Sequence, residues 1–147
     1  MNSILVILAA AVTIIGASAA PPQAGDDNDI VVISARASEK EVTARTIERI
    51  YLKRKLLWED KTRVVPLNLP PDHPLRAAFT EKVLKREHRA LVEYWNQQYF
   101  RGKKPPLVVE SEEAVKRFVK EVPGAVGYIS KKNLEPDLVV LYVIAVE

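Results

Sequence analysis

The chain has 147 residues, of which 48% are hydrophobic and 28% charged, and its formal net charge is +3 at pH 7. It contains no cysteine, which excludes a disulfide framework, thiol catalysis and lipid attachment through a lipoprotein cysteine. The small positive charge favours anionic partners in general and identifies none of them.

The N-terminal residues have the pattern of a secretory signal peptide. Residues 4–17 form an almost unbroken apolar run of about 14 residues, shorter than the roughly 20 that span a bilayer. Small residues follow, and they predict a signal peptide over residues 1–20 with cleavage after Ala19 or Ala20. Because no basic residue precedes the run, an uncleaved membrane anchor is the alternative. Export without cysteines suits a bacterial periplasm, so the predicted location is periplasmic or secreted.

The rest of the chain suffices for one domain. About 125 residues can bury one core but not two. Residues 21–29 are polar and acidic and are predicted to be a disordered lead-in, and residues 30–147 are predicted to form the domain. Residues 30–33 are wholly apolar, as expected of a first strand that is covered on both faces.

A helix is predicted next, and its start is ambiguous. Ser38 with Glu41 makes a capping box for a longer helix, whereas Thr43 would cap a shorter one. The shorter helix would bury Ile47, Ile50 and Tyr51. Residues 53–63 are rich in Lys and Arg and are predicted to form a loop, with Trp58 as a plug over the core.

Residues 64–79 pass from a short apolar run through a proline-rich turn into an amphipathic segment. This order predicts a strand, a loop and a helix start. Asp72 is predicted to cap the first turn, and Pro74 suits a position whose N–H needs no partner. Such a helix would aim free backbone N–H groups at the space above the strand end, where anionic ligands collect in open α/β sheets. An ordinary strand-to-helix connection is the alternative.

The second half alternates helices with extended pieces. A helix is predicted over about residues 89–100, and residues 107–109 form a short extended piece. Ser111 opens the clearest helix, in which apolar residues recur at i, i+3, i+4 and i+7. Strands are predicted over 125–129 and 138–146, on either side of a polar turn. Strands alternating with helices indicate an α/β layered domain.

Five short pieces of the chain occur in a characteristic order. They are residues 47–52 before Trp58, residues 64–70, residues 74–79, Tyr94-Trp95 with Phe100-Arg101-Gly102 and Pro105-Pro106, and residues 122–129. In this order they resemble the small secreted relatives of phosphate ABC transporter substrate-binding proteins, whose fold is the type 2 periplasmic binding protein fold. The last piece, similar to the family's Pro-Gly-Ala-Ile-Gly-Tyr, is the most specific. The resemblance implies an α/β fold with a mostly parallel sheet flanked by helices, corresponding to one of the two lobes that close on phosphate.

The resemblance also places the ligand at the turn after the second strand. Full-length members carry an Arg-Ser-Asp-Gly-Ser-Gly-Thr type turn there, whereas this chain has prolines and no glycine, which leaves fewer backbone donors. Asn68, His73 and Arg76 still offer side-chain donors. Asp72 would repel a fully ionised phosphate unless it accepts a ligand proton. The candidate ligand-binding residues are therefore Asn68, Asp72, His73 and Arg76.

Two functions follow as expectations. The first is an exported protein that binds phosphate or a similar oxyanion, like the substrate-binding component of a phosphate ABC transporter. The alternative is a single-lobe interaction module that keeps the fold but has lost phosphate binding. Such a module would dock on an envelope protein through Trp58, Tyr94 or the basic loop.

Catalysis is not predicted. His73 and His88 are the two histidines, and neither has the spacing of a metal or nucleophile motif. No catalytic residue, metal or cofactor is predicted, and no membrane span is expected after signal cleavage. The mixed basic and aromatic segments favour a solvated charged face over a nucleic-acid surface.

Overall fold

The computed structural model describes residues 26–146, so the predicted signal peptide and the first residues of the lead-in lie outside the described part. Residues 26–29, predicted to be disordered, form a turn instead. Asp29 is 5% exposed, and its N–H donates to the Asp26 oxygen at 2.9 Å. Its carboxylate accepts the Val146 N–H at 3.2 Å. A buried carboxylate needs hydrogen-bond donors. Here the bond from Val146 holds residues 26–29 against the end of the last strand.

Five strands form one sheet in the described residues. They are β1 (Ile30–Ser34), β2 (Val65–Asn68), β3 (Leu107–Val108), β4 (Ala125–Ser130) and β5 (Val139–Ile144), in the spatial order β3-β2-β4-β1-β5. β2 pairs in parallel with β3 and β4, whereas β1 is antiparallel to β4 and β5. Four strands therefore run in one direction and β1 is reversed, which confirms the mostly parallel sheet.

Helices flank this sheet, as predicted. The α-helices are α1 (Ala44–Tyr51), α2 (Pro74–Phe79), α3 (His88–Tyr99) and α4 (Glu112–Glu121). A π-helical segment, Thr80–Leu84, continues α2, and a short 3-10 helix, Lys131–Asn133, follows β4. Within residues 26–146, no helix combines the length and apolar character needed to cross a membrane.

The start of α1 shows that the shorter of the two predicted helices forms. The Thr43 hydroxyl accepts the Thr46 N–H at 3.2 Å, and the Thr46 hydroxyl accepts the Thr43 N–H at 3.3 Å. This reciprocal pair is a capping box, and it satisfies two donors that the helix itself cannot. The buried side chains are those predicted, Ile47, Ile50 and Tyr51.

The core lies around the central strands β1 and β4, whose residues are buried throughout. Trp58 covers one side of this core and is 2% exposed, which confirms the predicted plug. Its indole N–H donates to the Gly124 oxygen at 3.0 Å, so its polar atom is also satisfied.

The two glycines of the most specific sequence piece are required by close packing. Gly124 has φ +79°, and a Cβ there would lie 2.1 Å from the Arg63 oxygen. A Cβ on Gly127 would lie 2.4 Å from a methyl carbon of Val115, in α4. The missing side chains therefore let the backbone turn tightly before β4 and let α4 approach the sheet.

Candidate functional site

The candidate site begins at the carboxyl end of β2. Asn68, the last residue of β2, is 9% exposed, and its side-chain oxygen accepts a hydrogen bond from the Tyr128 hydroxyl of β4. The Leu69 N–H donates to the same hydroxyl at 3.4 Å. Because its oxygen is bonded to Tyr128, the Asn68 amide keeps its NH₂ group for another acceptor.

An aromatic cluster holds Tyr128 in place. Its ring is stacked on Phe79 with centroids 4.1 Å apart, and Tyr51 lies 4.6 Å from Phe79. The Tyr51 hydroxyl donates to the Leu67 oxygen at 2.8 Å. Burial raises the pKa of both tyrosines well above the usual value, so both hydroxyls stay protonated and remain donors at neutral pH.

His73, not Asp72, caps α2, so the predicted cap is wrong. The His73 Nδ1 accepts the Leu75 N–H at 3.2 Å, while Asp72 lies in an exposed turn. The reason is that Pro74 occupies the first helical position. A residue before proline is held in the extended conformation, which is the geometry of an N-cap, and His73 has φ −72° and ψ 130°.

The first turn of α2 lacks the free backbone donors that the sequence predicted. Pro74 has no N–H, and the Leu75 N–H is bonded to the cap. The N–H groups of Arg76 and Ala77 donate to the His73 oxygen at 3.0 and 3.3 Å. An anion bound here must therefore be held by side chains.

A cavity of about 720 Å³ opens beside this turn. It is lined by Asn68 and Arg76, by one side of α2 and the π-helical segment, and by one face of α3. Arg76 is oriented by a 2.8 Å hydrogen bond from its guanidinium to the Leu69 oxygen. Of the four predicted residues, Asn68 and Arg76 line the cavity, whereas Asp72 and His73 are not among its lining residues.

Several lining residues were missed by the sequence analysis. Lys85 and Arg86 add positive charge, and Glu81 and Glu87 add negative charge. Lys85 has φ +49°, and its N–H donates to the Thr80 oxygen at 2.9 Å, which closes the π-helical segment. Such segments occur often at functional sites. In the sequence, residues 85–88 are a polar run, Lys-Arg-Glu-His, but the sequence does not show that this run lies near the end of β2.

Residues 26–146 contain no group of three or more His, Asp or Glu side chains placed to hold an ion. His73 is used as a cap, and His88 lines the cavity singly.

Comparison with known proteins gives the class of the fold. No protein-family model and no curated protein matches the sequence. One similar solved structure, from Clostridium perfringens, is assigned as a phosphate ABC transporter substrate-binding protein with bound phosphate. It has a TM-score of 0.62 and 18% identity, and the match covers 78% of this chain and 45% of that one.

Two further structures agree with the first. An ABC-type phosphate transport receptor from Vibrio cholerae has a TM-score of 0.59 and 14% identity, with 78% of this chain and 46% of that chain covered. PstS from Borrelia burgdorferi has a TM-score of 0.55 and 13% identity, with 81% and 51% covered. This chain therefore has the fold of phosphate ABC transporter substrate-binding proteins and spans about half of their length, which confirms the resemblance found in the sequence.

Proposed function

We propose that this chain is an exported protein that binds phosphate or a similar oxyanion in the cavity beside β2. The observation that carries the proposal is that Asn68 and Arg76 line this cavity together. Both side chains are held by the protein, Asn68 through Tyr128 and Arg76 through Leu69, and both keep donors for a ligand. Preorganised donors lose less entropy when a ligand binds.

The charge of the cavity supports the same ligand class. Its lining has three positive side chains, Arg76, Lys85 and Arg86, and two negative ones, Glu81 and Glu87, which gives a net charge of +1. A guanidinium recognises oxyanions through charge-assisted, often bidentate hydrogen bonds. Two of the similar structures are named as phosphate transport proteins, which supports phosphate as the first ligand to test and transport rather than catalysis as the role.

Titration calorimetry of the protein with phosphate at low salt tests the proposal. We expect Arg76→Ala to weaken binding by about tenfold to a hundredfold, because a charged hydrogen-bonding group is lost. Arg117→Ala removes the same charge from an exposed site on α4, outside the cavity lining, and should leave affinity unchanged. Absence of heat at millimolar phosphate would exclude inorganic phosphate as the ligand.

The single-lobe interaction module is the second candidate, and one observation favours it. Leu107 and Val108 of the edge strand β3 are each 49% exposed. An apolar edge with unpaired backbone groups can add a strand from another chain. Crosslinking and pull-down from envelope extracts test this function, and monomeric behaviour without a partner would contradict it. Arg76→Ala should not affect such an interaction.

A further inference from the structure

One face of α3 lines the cavity, and of its apolar residues only Leu91 also packs against the core. The lining residues of this helix recur at helical spacing and are His88, Leu91, Val92, Trp95 and Asn96. Val92 is 46% exposed, and neither Val92 nor Trp95 packs in the hydrophobic core. Exposed apolar side chains that line one concave surface are typical of a binding site, because covering them removes apolar area from water.

The Trp95 side chain packs against its neighbour Tyr94. Its ring contacts Tyr94 edge-to-face, with centroids 5.0 Å apart. The Tyr94 hydroxyl donates to the Leu52 oxygen at 2.6 Å, and the guanidinium groups of Arg54 and Arg86 each lie 5.5 Å from the Tyr94 ring centre. A supported indole offers a flat apolar surface on which another ring can stack.

The cavity is also larger than inorganic phosphate requires. A water molecule occupies about 30 Å³ in the liquid. A phosphate ion has five heavy atoms and therefore needs on the order of 100 Å³. The cavity measures about 720 Å³, within the range of pockets that hold small organic ligands. A bound inorganic phosphate would therefore leave most of the cavity unfilled.

We propose that the ligand is an organic oxyanion, of the class of phosphate monoesters that carry an aromatic or similarly flat apolar group. The anionic group would lie against Asn68 and Arg76, and the apolar group against Leu91, Val92 and Trp95. This inference rests on the proposed function, because it uses the same anion-binding side chains. It adds the apolar half of the ligand.

Three probes test the inference on the full chain: inorganic phosphate, phenyl phosphate and phenol. We expect phenyl phosphate to bind about tenfold more tightly than phosphate, because burial of its phenyl ring adds a favourable free energy of binding. Phenol should not bind at the same concentrations, because it has no anionic group. Tryptophan fluorescence should change with phenyl phosphate and report Trp95, because Trp58 is buried away at 2% exposure.

Variants of α3 separate the two halves of the ligand. Trp95→Ala should weaken phenyl phosphate about tenfold and leave phosphate unchanged, whereas Trp95→Phe should retain most of the affinity. Tyr99→Ala is the matched control, because Tyr99 lies on the same helix, is 70% exposed and does not line the cavity. Circular dichroism checks the fold. If Trp95→Ala unfolds, Val92→Ser serves in its place, because Val92 is half-exposed. This variant should weaken phenyl phosphate binding several-fold and leave phosphate binding unchanged.

The outcomes distinguish this inference from the proposed function. If phosphate and phenyl phosphate bind equally, or the α3 variants weaken both equally, the inference is wrong and oxyanion binding stands. If phenol binds as tightly as phenyl phosphate, the anionic group contributes nothing to that ligand and the inference is wrong. If neither phosphate nor phenyl phosphate binds, both the inference and the proposed function are wrong. Tighter binding of phenyl phosphate that depends on both Arg76 and Trp95 supports both.

Discussion

At the residue scale, the hydroxyl of Tyr128 connects the sheet to the candidate site. It bonds Asn68 and receives the Leu69 N–H, so the same atom positions a ligand-binding side chain and satisfies a buried backbone donor. All six residues of the central strand β4 are buried, so the packing around this strand holds the Tyr128 hydroxyl in place.

Tyr128→Phe removes this hydroxyl while keeping the ring. We expect the free energy of unfolding to fall by about 1–3 kcal/mol, because Leu69 and Asn68 lose a buried partner, and phosphate binding to weaken. Urea denaturation and calorimetry measure the two effects. Tyr94→Phe loses a hydroxyl bonded to Leu52 and should leave phosphate affinity unchanged. Unchanged affinity in folded Tyr128→Phe would show that Asn68 does not bind the anion.

Gly127→Ala tests the close approach of α4 to the sheet. The added methyl would meet a Val115 methyl at 2.4 Å, and we expect a loss of about 1–3 kcal/mol in the free energy of unfolding. Val115→Ala removes the opposing methyl, so the double variant should lose less than the sum of the single variants. Additive losses in urea denaturation would locate the strain elsewhere.

At the element scale, α4 is tied to the loop before β5 by charges. Lys116, whose side chain is 8% exposed, lies 2.7 Å from both Glu113 and Glu135. Lys120 contacts Glu135 and lies 2.9 Å from Asp137. Hydrogen bonds from Lys116 and Lys120 lower the pKa of Glu135 from 4.5 to about 2. The carboxylate is therefore more stable in the folded chain than in the unfolded one.

Glu135→Gln should remove this pH-dependent stabilisation. Because the pKa of Glu135 is lower in the folded state, its contribution is fully present above about pH 4.5 and is lost as the pH falls toward 2. We expect the variant to have a lower urea midpoint than the parent chain at pH 7, and the difference to shrink between pH 4.5 and 2. A constant difference across this range would contradict the assignment. Asp137→Asn, which leaves Lys116 and Glu135 paired, should have the smaller effect.

At the scale of the whole molecule, the chain spans about half of the length of the similar transport proteins. Its export is predicted from residues 1–20. Expression of the full chain in a bacterium should yield a periplasmic protein whose first residue is Ala20 or Pro21. N-terminal sequencing and intact mass measure this. An unprocessed chain in the membrane fraction would favour the uncleaved anchor, and a cytoplasmic chain would contradict export.

Most of the elements were predictable because their signals are local. The Ser111 cap, the apolar spacing of α4 and the unbroken apolar run of β1 each lie within one element, and each was found. The cap of α2 was also a local feature, but proline at the first helical position outweighed the preference of Asp72. Two of the four candidate site residues, Asn68 and Arg76, line the cavity.

The sequence alone therefore determined the kinds of element, the α/β class and the turn near which a ligand is expected. Helix caps, apolar periodicity and the short pieces that resemble the family each depend on residues that are close together in the chain. The tertiary structure decided the reversed direction of β1, the bond between Tyr128 and Asn68, and the cavity between α2 and α3. These features join residues far apart in the chain, 60 positions in the case of Tyr128 and Asn68. Packing of the whole domain brings such residues together, and no local sequence pattern predicts which distant residues will meet.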